Sequence, residues 1–450
     1  MSKDIKIKKG LNIRLQGEAE KTLSKAPRSR TFAIRPKDFH LVTPKMVLKE
    51  GARVQAGDTL FYSKSEESIK FVSPVSGTLT RIERGAKRVI TRLVIEADAQ
   101  DSFKDFGSMK PDTASAAQIK ERLLEAGCWP FIKQRPYDVI ANPEVAPRDI
   151  FVSAMTTAPL AADLDFSLNG KEAELQAACT ALSKLTEGKL HIGVGNDGSS
   201  PFNGLSDVAL HKVSGPHPAG NVGTQIAKIG PVNKGEVVWT LGAQDLVIIG
   251  ELLLTGKYNA ERVVALVGSC VKSPKYYSSR QGAEVSTFVY DSGLNNEHSR
   301  VISGDVLSGT KITHEDHLGF YDSTVSVIPE GDDYEFFGWN KPIFNKISTS
   351  RALTFSWLSP NKKFDLNTNT NGEHRAFVVT GNYEEVFPLD IYPMQILKAC
   401  MVGDLDQMEA LGMYEVAPED FALTEFVCVS KQPHQQIIRD GLDVMYKEIG

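Results

Sequence analysis

The sequence predicts a multidomain α/β protein, and three observations carry that prediction. The stretch 51–78, GARVQAGDTLFYSKSEESIKFVSPVSGT, alternates apolar residues between glycine and proline turns, the mark of short hairpin strands. From residue 114 to 257 strand-like and helix-like spacing alternate, which argues for a parallel sheet covered by helices. The chain has 450 residues, too many for one core, and its length fits about three domains.

The elements follow in order. Residues 5–16 read as a strand through Ile5, Ile7, Leu11, Ile13 and Leu15, and Lys21 to Arg30 as a basic connector. The region 31–97 is β-rich and 98–113 is a polar linker holding Pro111. Ile119, Leu123 and Leu124 have helical spacing, and Gly127 supplies the stop. Strands are predicted over 149–155, 189–194 and 236–241, and helices over 172–185 and 245–254. Residues 258–310, including 284–290, read as a compact β unit, and β and loop character continues to about 375. Helices are predicted over 390–402 and 434–449, with Ile396, Leu397, Met401, Phe421, Leu423, Phe426 and Val427 as their apolar packing.

Composition excludes several function classes. Hydrophobic content of 41% and charged content of 24% are ordinary for a globular chain, and a net charge of −5 offers nucleic acid nothing. No uncharged apolar run reaches the ~18 residues that a membrane span needs. The N-terminus MSKDIKIKKGLNIRL has no apolar core like that of a signal peptide, so a cytoplasmic location is expected. The five cysteines, Cys128, Cys179, Cys270, Cys400 and Cys428, are widely spaced without a C-x-x-C pair, against zinc, an iron–sulfur cluster or a disulfide framework.

Within 51–78, Gly51-x-x-Val54-x-x-Gly57-Asp58-x-Leu60 and Phe71-Val-Ser-Pro74-Val-Ser-Gly77 resemble the biotinyl/lipoyl-like barrel-sandwich hybrid. That fold carries a prosthetic group on a lysine at a hairpin tip. Here Glu67-Ser68-Ile69-Lys70 offers a lysine four residues before Pro74, which places it in the returning strand.

Eight stretches extend the resemblance over nearly the whole chain: KIKKGLNIRLQG (6–17), KFVSPVSGTLTRIERGAKRVI (70–90), GPHPAG (215–220), ISGDVLSGT (302–310), FFGW (336–339), TNTNG (368–372), GNYEEVFPLDIYP (381–393) and EFVC (425–428). Together they resemble the A subunit of the sodium-translocating NADH:quinone oxidoreductase, which is related to the C subunit of the Rnf complex and to the NADH-binding flavoprotein subunit of respiratory complex I. The resemblance implies a barrel-sandwich domain with an N-terminal strand (1–100), a Rossmann-like domain (101–257), a β-grasp domain of the soluble-ligand-binding type (258–330), a β/loop connector (331–380) and a degenerate ferredoxin-like helical domain (381–450). It further implies a six-subunit membrane complex that reduces ubiquinone or menaquinone with electrons from NADH and exports sodium. Flavins and an iron–sulfur centre would belong to partner subunits, especially the membrane-embedded quinone/flavin subunit. This chain would bind peripherally on the cytoplasmic side of the inner membrane.

Departures from the relatives shape the expectation for this chain. Flavin-binding cousins use a glycine-rich loop, because a Cβ blocks close backbone approach to phosphate. Here residues 127–137 read GCWPFIKQRPY, and after the next strand SAMTTAPLAA (153–162) lacks a carboxylate, so neither flavin nor NADH is expected to bind in the cousins' way. Cys400 and Cys428 alone cannot hold a cluster that needs about four thiolates.

Seven residues are the candidates for quinone contact. Phe131, Arg135 and Tyr137 combine flat apolar surface with donors for carbonyl oxygens, and Phe32, Arg35 and Phe39 repeat the theme beside Pro36. Read without that role, the first trio plugs a vacated pocket and the second is a surface loop. His217, in the rigid loop Gly215–Gly220, has the right chemistry for proton donation, against a plain structural loop. His314 and His317 read as an exposed loop and not a metal site. No catalytic residue, covalent cofactor or metal ligand is expected. The rival functions are a purely structural role in assembly and that of a flavin-dependent NADH dehydrogenase subunit.

Overall fold

A computed structural model describes residues 3–196, 200–332, 336, 346–349 and 361–450. Of the FFGW stretch only Phe336 falls among them, and much of the 331–380 connector lies outside.

Two antiparallel sheets form the first β unit. One contains Arg53–Val54, Gly77–Arg84, Ile90–Ala97 and Thr31–Ile34, and the other Pro44–Met46, Thr59–Ser63 and Lys70–Val72. Leu60, Phe61, Phe71, Val75, Leu79 and Leu93 fill the space between them. Lys70 opens the returning strand and pairs with Tyr62, as its distance from Pro74 predicts.

The second unit is a seven-stranded sheet. Asp4–Lys6, Ala209–Ser214, Leu190–Val194, Ile150–Ser153 and Val238–Gly242 run parallel, and the hairpin Lys133–Arg135/Val139–Ile140 adds antiparallel to Val238–Gly242. Of the strand predicted over 5–16, only Asp4–Lys6 forms a ladder, and it lies at the edge of this sheet. Helix Ala116–Glu125 starts at a capping box between Ser115 and Gln118. Helices Glu172–Ser183 and Ala243–Thr255 cross closely enough that a Cβ on Gly250 would lie 1.9 Å from the Glu174 carbonyl oxygen. The short helix Val222–Ile229 has no sequence counterpart in the prediction, since its eight residues hold too little periodicity.

A six-stranded sheet follows in the order Thr310–Ile312, Ser299–Ser303, Thr324–Pro329, Glu261–Val267, Lys275–Arg280 and Glu20–Lys25. Two expectations are corrected here. Glu20–Lys25 lies inside the predicted connector but is an edge strand; five of its six side chains are exposed, so no apolar alternation announces it. Residues 286–292 form a helix where the β-branched and aromatic composition reads as strand. Buried Phe288 and Val289 anchor that helix to the sheet, and tertiary packing overrides propensity.

The C-terminal region is helical: Asn382–Val386, Pro393–Val402, Leu405–Ala410, Ala422–Phe426 and His434–Ile449. Ile396, Leu397, Met408, Phe421, Ile438 and Leu442 form its core. Met401, placed in that core by the sequence pattern, is instead 55% exposed at the end of its helix.

Candidate functional site

The two aromatic segments picked out by the sequence meet on a third that it did not signal. Phe39, just past the turn Pro36–Asp38, meets Phe320 edge-on at 4.7 Å between centroids. Phe131, at the end of the turn Trp129–Phe131, stacks on the same Phe320 at 5.1 Å. Phe39 also meets Phe71 at 4.4 Å, and Phe71 stacks on Phe61 at 4.5 Å. The cluster therefore joins both β units to the parallel sheet. Phe320 lies in the loop between Thr310–Ile312 and Thr324–Pro329, where HEDHLGFYD reads as ordinary loop sequence.

Polar contacts hold that loop. Asp38 accepts from the Phe320 amide at 3.0 Å, and Arg35 pairs with Asp38 at 3.1 Å. Tyr321 donates to the Pro130 carbonyl at 2.8 Å, and the Lys133 ammonium lies 4.5 Å from the Tyr321 ring centroid. Asp322, accepting from Ser303 at 2.5 Å, is pushed above the usual carboxylate range by burial, with Asp38 adding to the effect. Gly319 sits between Asp322 and Arg35: an added Cβ would lie 2.2 Å from Asp322 Oδ2 and 2.7 Å from Arg35 Nη2. Phe32 and Arg35, taken alone as surface-loop residues, are buried. The pairing of Thr31–Ile34 with Ile90–Ala97 draws Phe32 into the core, and the Asp38 pair makes Arg35 tolerable there.

Arg135 and Tyr137 face elsewhere, toward the C-terminal helices. The Arg135 guanidinium donates to Asp420 at 2.7 Å, to Glu419 at 3.0 Å and to the Glu415 carbonyl at 2.9 Å. Gly223 makes room for the pair, since a Cβ there would lie 2.3 Å from Asp420 Oδ1 and 2.5 Å from Arg135 Nη1. Tyr137 packs edge-on against Tyr446 at 5.2 Å, while Arg439 donates to the Tyr137 carbonyl at 2.9 Å.

His217 occupies a third place. Its Nδ1 lies 3.2 Å from Thr157 Oγ1, its amide donates to Asn12 at 3.0 Å, and its carbonyl accepts from Leu11 at 2.9 Å. Nε2 is buried without a partner among the described residues, and burial lowers the imidazole to about 4, so the ring is neutral near pH 7. His317, expected to be exposed, is buried against Thr31 and Arg92, because the Arg92–Asp316 ion pair of 2.6 Å closes the loop over it.

All seven candidates are less than 10% exposed. A cavity of about 560 Å³ opens elsewhere, lined by Gln16 to Glu20, Ser269, Val271, Pro274 and Lys363. Packed side chains fill the segment 127–137. Trp129 donates from Nε1 to the Ala141 carbonyl at 2.7 Å and meets Trp239 edge-on at 5.3 Å. A Cβ on Gly127 would strike Val72 at 2.5 Å. Cys400 and Cys428 belong to two separate apolar clusters, and no three His, Cys, Asp or Glu side chains converge on a metal-sized site among the described residues.

Comparison with known proteins gives matches along most of the chain. Residues 5–98 match the NqrA N-terminal barrel-sandwich hybrid domain, 114–258 the NqrA second alpha/beta domain, and 263–314 the NQRA C-terminal domain. The A subunit of the Na(+)-translocating NADH-quinone reductase from Histophilus somni (strain 2336) is 38% identical over 447 residues, covering 99% of this chain and 100% of that protein. The proteins of the same name from Neisseria meningitidis serogroup B (38% over 449 residues) and Saccharophagus degradans (37% over 447) each cover 99% of this chain and their own full length. Among solved structures, an air-oxidized NAD+-reducing [NiFe]-hydrogenase aligns with a TM-score of 0.35 and 14% identity, over 48% of this chain and 47% of that one.

Proposed function

The chain belongs to the NqrA family, the A subunits of Na(+)-translocating NADH-quinone reductases, and from that premise we propose that it is a peripheral, cofactor-free subunit that docks on the membrane-embedded subunits and helps shape their quinone pocket. The whole complex would pass electrons from NADH, through flavins and an iron–sulfur centre in the partners, to ubiquinone or menaquinone while exporting sodium. The subunit would sit on the cytoplasmic face; no helix among the described residues is long and apolar enough to cross a membrane. The parallel sheet with its helices is read as Rossmann-like and the six-stranded unit as β-grasp.

The observation that carries the quinone reading is the meeting of Phe39 and Phe131 on Phe320, which joins two sequence-distant candidate segments in one aromatic cluster. Flat apolar walls suit a quinone ring, and the Arg35 guanidinium stands beside the cluster as a donor. Arg135, Tyr137 and His217 would act from the two neighbouring junctions. The packed Trp129–Phe131 turn and the separated Cys400 and Cys428 support the cofactor-free reading.

A second reading, purely structural assembly, is favoured by the burial of all seven candidates. Quinone titration of the assembled complex separates the two. With Phe131→Ala or Phe39→Ala, the KM for quinone rises if these rings line the pocket. It stays unchanged, with assembly impaired in step with stability, if they only pack. Flavin absorbance in the purified chain would overturn the cofactor-free reading.

A further inference from the structure

The stretch TNTNG (368–372) takes no part in the aromatic cluster or in the Arg135–Asp420 junction. Its loop is wound on its own side chains: the Asn371 amide donates to Asn369 Oδ1 at 3.1 Å, and Thr370 Oγ1 donates to the Gly372 carbonyl at 3.0 Å. The chain leaving it is tied to residues 430–432. The Arg375 amide donates to the Ser430 carbonyl at 2.9 Å, Ser430 Oγ donates to the Ala376 carbonyl at 2.9 Å, and the Gln432 side chain donates to the Arg375 carbonyl. Between these two segments lies a recess of about 310 Å³, lined by Asn371, Gly372, Glu373, Arg375, Val429 and Lys431. Sites for small molecules run from ~300 to ~1,000 Å³, so the recess has room for a small ligand only.

The charges of the recess are not balanced from within. Arg375 and Lys431 both line it, and no carboxylate among the described residues forms an ion pair with either, Glu373 in the same wall included. Lys431 is half-buried, and burial holds its amine below the ordinary lysine range. Its backbone is left-handed at φ 54°, a conformation for which a lysine has no side-chain reason. Gly372 leaves space for the lysine stem, since an added Cβ would lie 3.3 Å from Lys431 Cε. Two like charges in one recess repel, and a desolvated ammonium without a counter-charge destabilises the fold. Such arrangements collect where a ligand supplies the missing charge.

We propose that this recess binds a small, singly charged oxyanion, a carboxylate or a phosphodiester, between the Arg375 guanidinium and the Lys431 ammonium. Charge sets the class. With Glu373 in the wall, the two cations leave one positive charge in excess, which a single negative charge neutralises and a dianion overshoots. The guanidinium fork matches two oxygens of either group. Val429, 49% exposed, offers an apolar wall to the organic part of the ligand. A soluble small molecule and an anionic lipid headgroup both present this chemistry. The recess shares no residue with the quinone reading and is tested apart from it.

The test follows the Lys431 amine in the full chain by reductive methylation with formaldehyde, read by peptide mass spectrometry. Benzoate and diethyl phosphate are the probes, and sodium chloride at equal ionic strength is the control. Either probe is expected to slow methylation of Lys431 about fivefold once it reaches about four times its Kd, while exposed Lys87 keeps its rate. Arg375→Gln should lose that protection and melt as the unaltered chain does, because the Arg375 side chain is exposed. Equal Lys431 rates in probe and chloride overturn the proposal, and so does protection that survives in Arg375→Gln. Given protection, sedimentation with phosphatidylglycerol vesicles that Arg375→Gln abolishes assigns the ligand to a lipid headgroup. Protection without sedimentation assigns it to a soluble small molecule.

Discussion

Arg135 and Asp420 stand 285 positions apart and meet at 2.7 Å with side-chain exposures of 1% and 0%. The pair fastens the antiparallel hairpin at one edge of the seven-stranded sheet to the C-terminal helices. A buried pair of this kind costs more to break than its formation contributes, since removing one partner strands the other without water. Arg135→Ala or Asp420→Ala is therefore expected to lower stability by about 3–5 kcal/mol, while an apolar replacement of both recovers most of the loss. Urea denaturation of the three variants checks this. Equal loss in the single and double variants would show that the pair is not the coupling.

Gly223 tests the same junction from the helix side. A Cβ there would lie 2.3 Å from Asp420 Oδ1, so Gly223→Ala must push the carboxylate away from Arg135. Forced overpacking of this sort costs about 1–3 kcal/mol, against the gain that alanine normally brings to a helix. A melting temperature that rises in Gly223→Ala would contradict the crowding.

Phe320 receives rings from two other units. Phe320→Ala is expected to cost about 3–5 kcal/mol through the cavity it leaves. Phe39→Ala and Phe131→Ala should each lose part of that, and a double-mutant cycle between either of them and Phe320→Ala should show coupling of about 0.5–1.5 kcal/mol. Purely additive losses would mean that the rings share a neighbourhood but no contact.

Buried histidines set the acid limit. His211, His217, His317 and His434 are each lowered to about 4 by burial, against an ordinary value near 6.5. As pH falls below 6.5 the unfolded chain takes up protons first, so stability is full above that value and is lost down to about 4. The expected slope is about 1.4 kcal/mol per pH unit for each ring. His211 also anchors the N-terminal strand. Its Nδ1 accepts from the Lys3 amide at 3.1 Å, and its Nε2 lies 2.9 Å from His191 Nδ1. Amide exchange of Asp4–Lys6 should therefore rise in acid before global unfolding. Exchange there that follows the rest of the sheet would count against the anchor.

Much of the fold was legible because each region has its own period. The glycine and proline turns of 51–78 place Lys70 in a returning strand, and the helices at 116–125, 172–183, 243–255, 393–402 and 434–449 follow their apolar spacing. Two of the failures share one cause. Glu20–Lys25 is an exposed edge strand with one apolar residue, and 286–292 is a helix written in strand-like residues. In both, a neighbour made elsewhere in the chain decides the conformation.

The candidate residues divide the same way. Phe131, Arg135 and Phe39 were visible as unusual combinations of aromatic, cation and proline, while Phe320 was not, lying in a loop of ordinary polar composition. Local chemistry along the chain therefore determined the α/β class, the order of its units and the residue types able to meet a planar ligand or a carboxylate. Only the tertiary structure decided which of them meet: Phe39 and Phe131 on Phe320, Arg135 on Asp420, and His217 on the N-terminal arm. Those contacts join residues tens to hundreds of positions apart, where a residue's own neighbours carry no information about its partner.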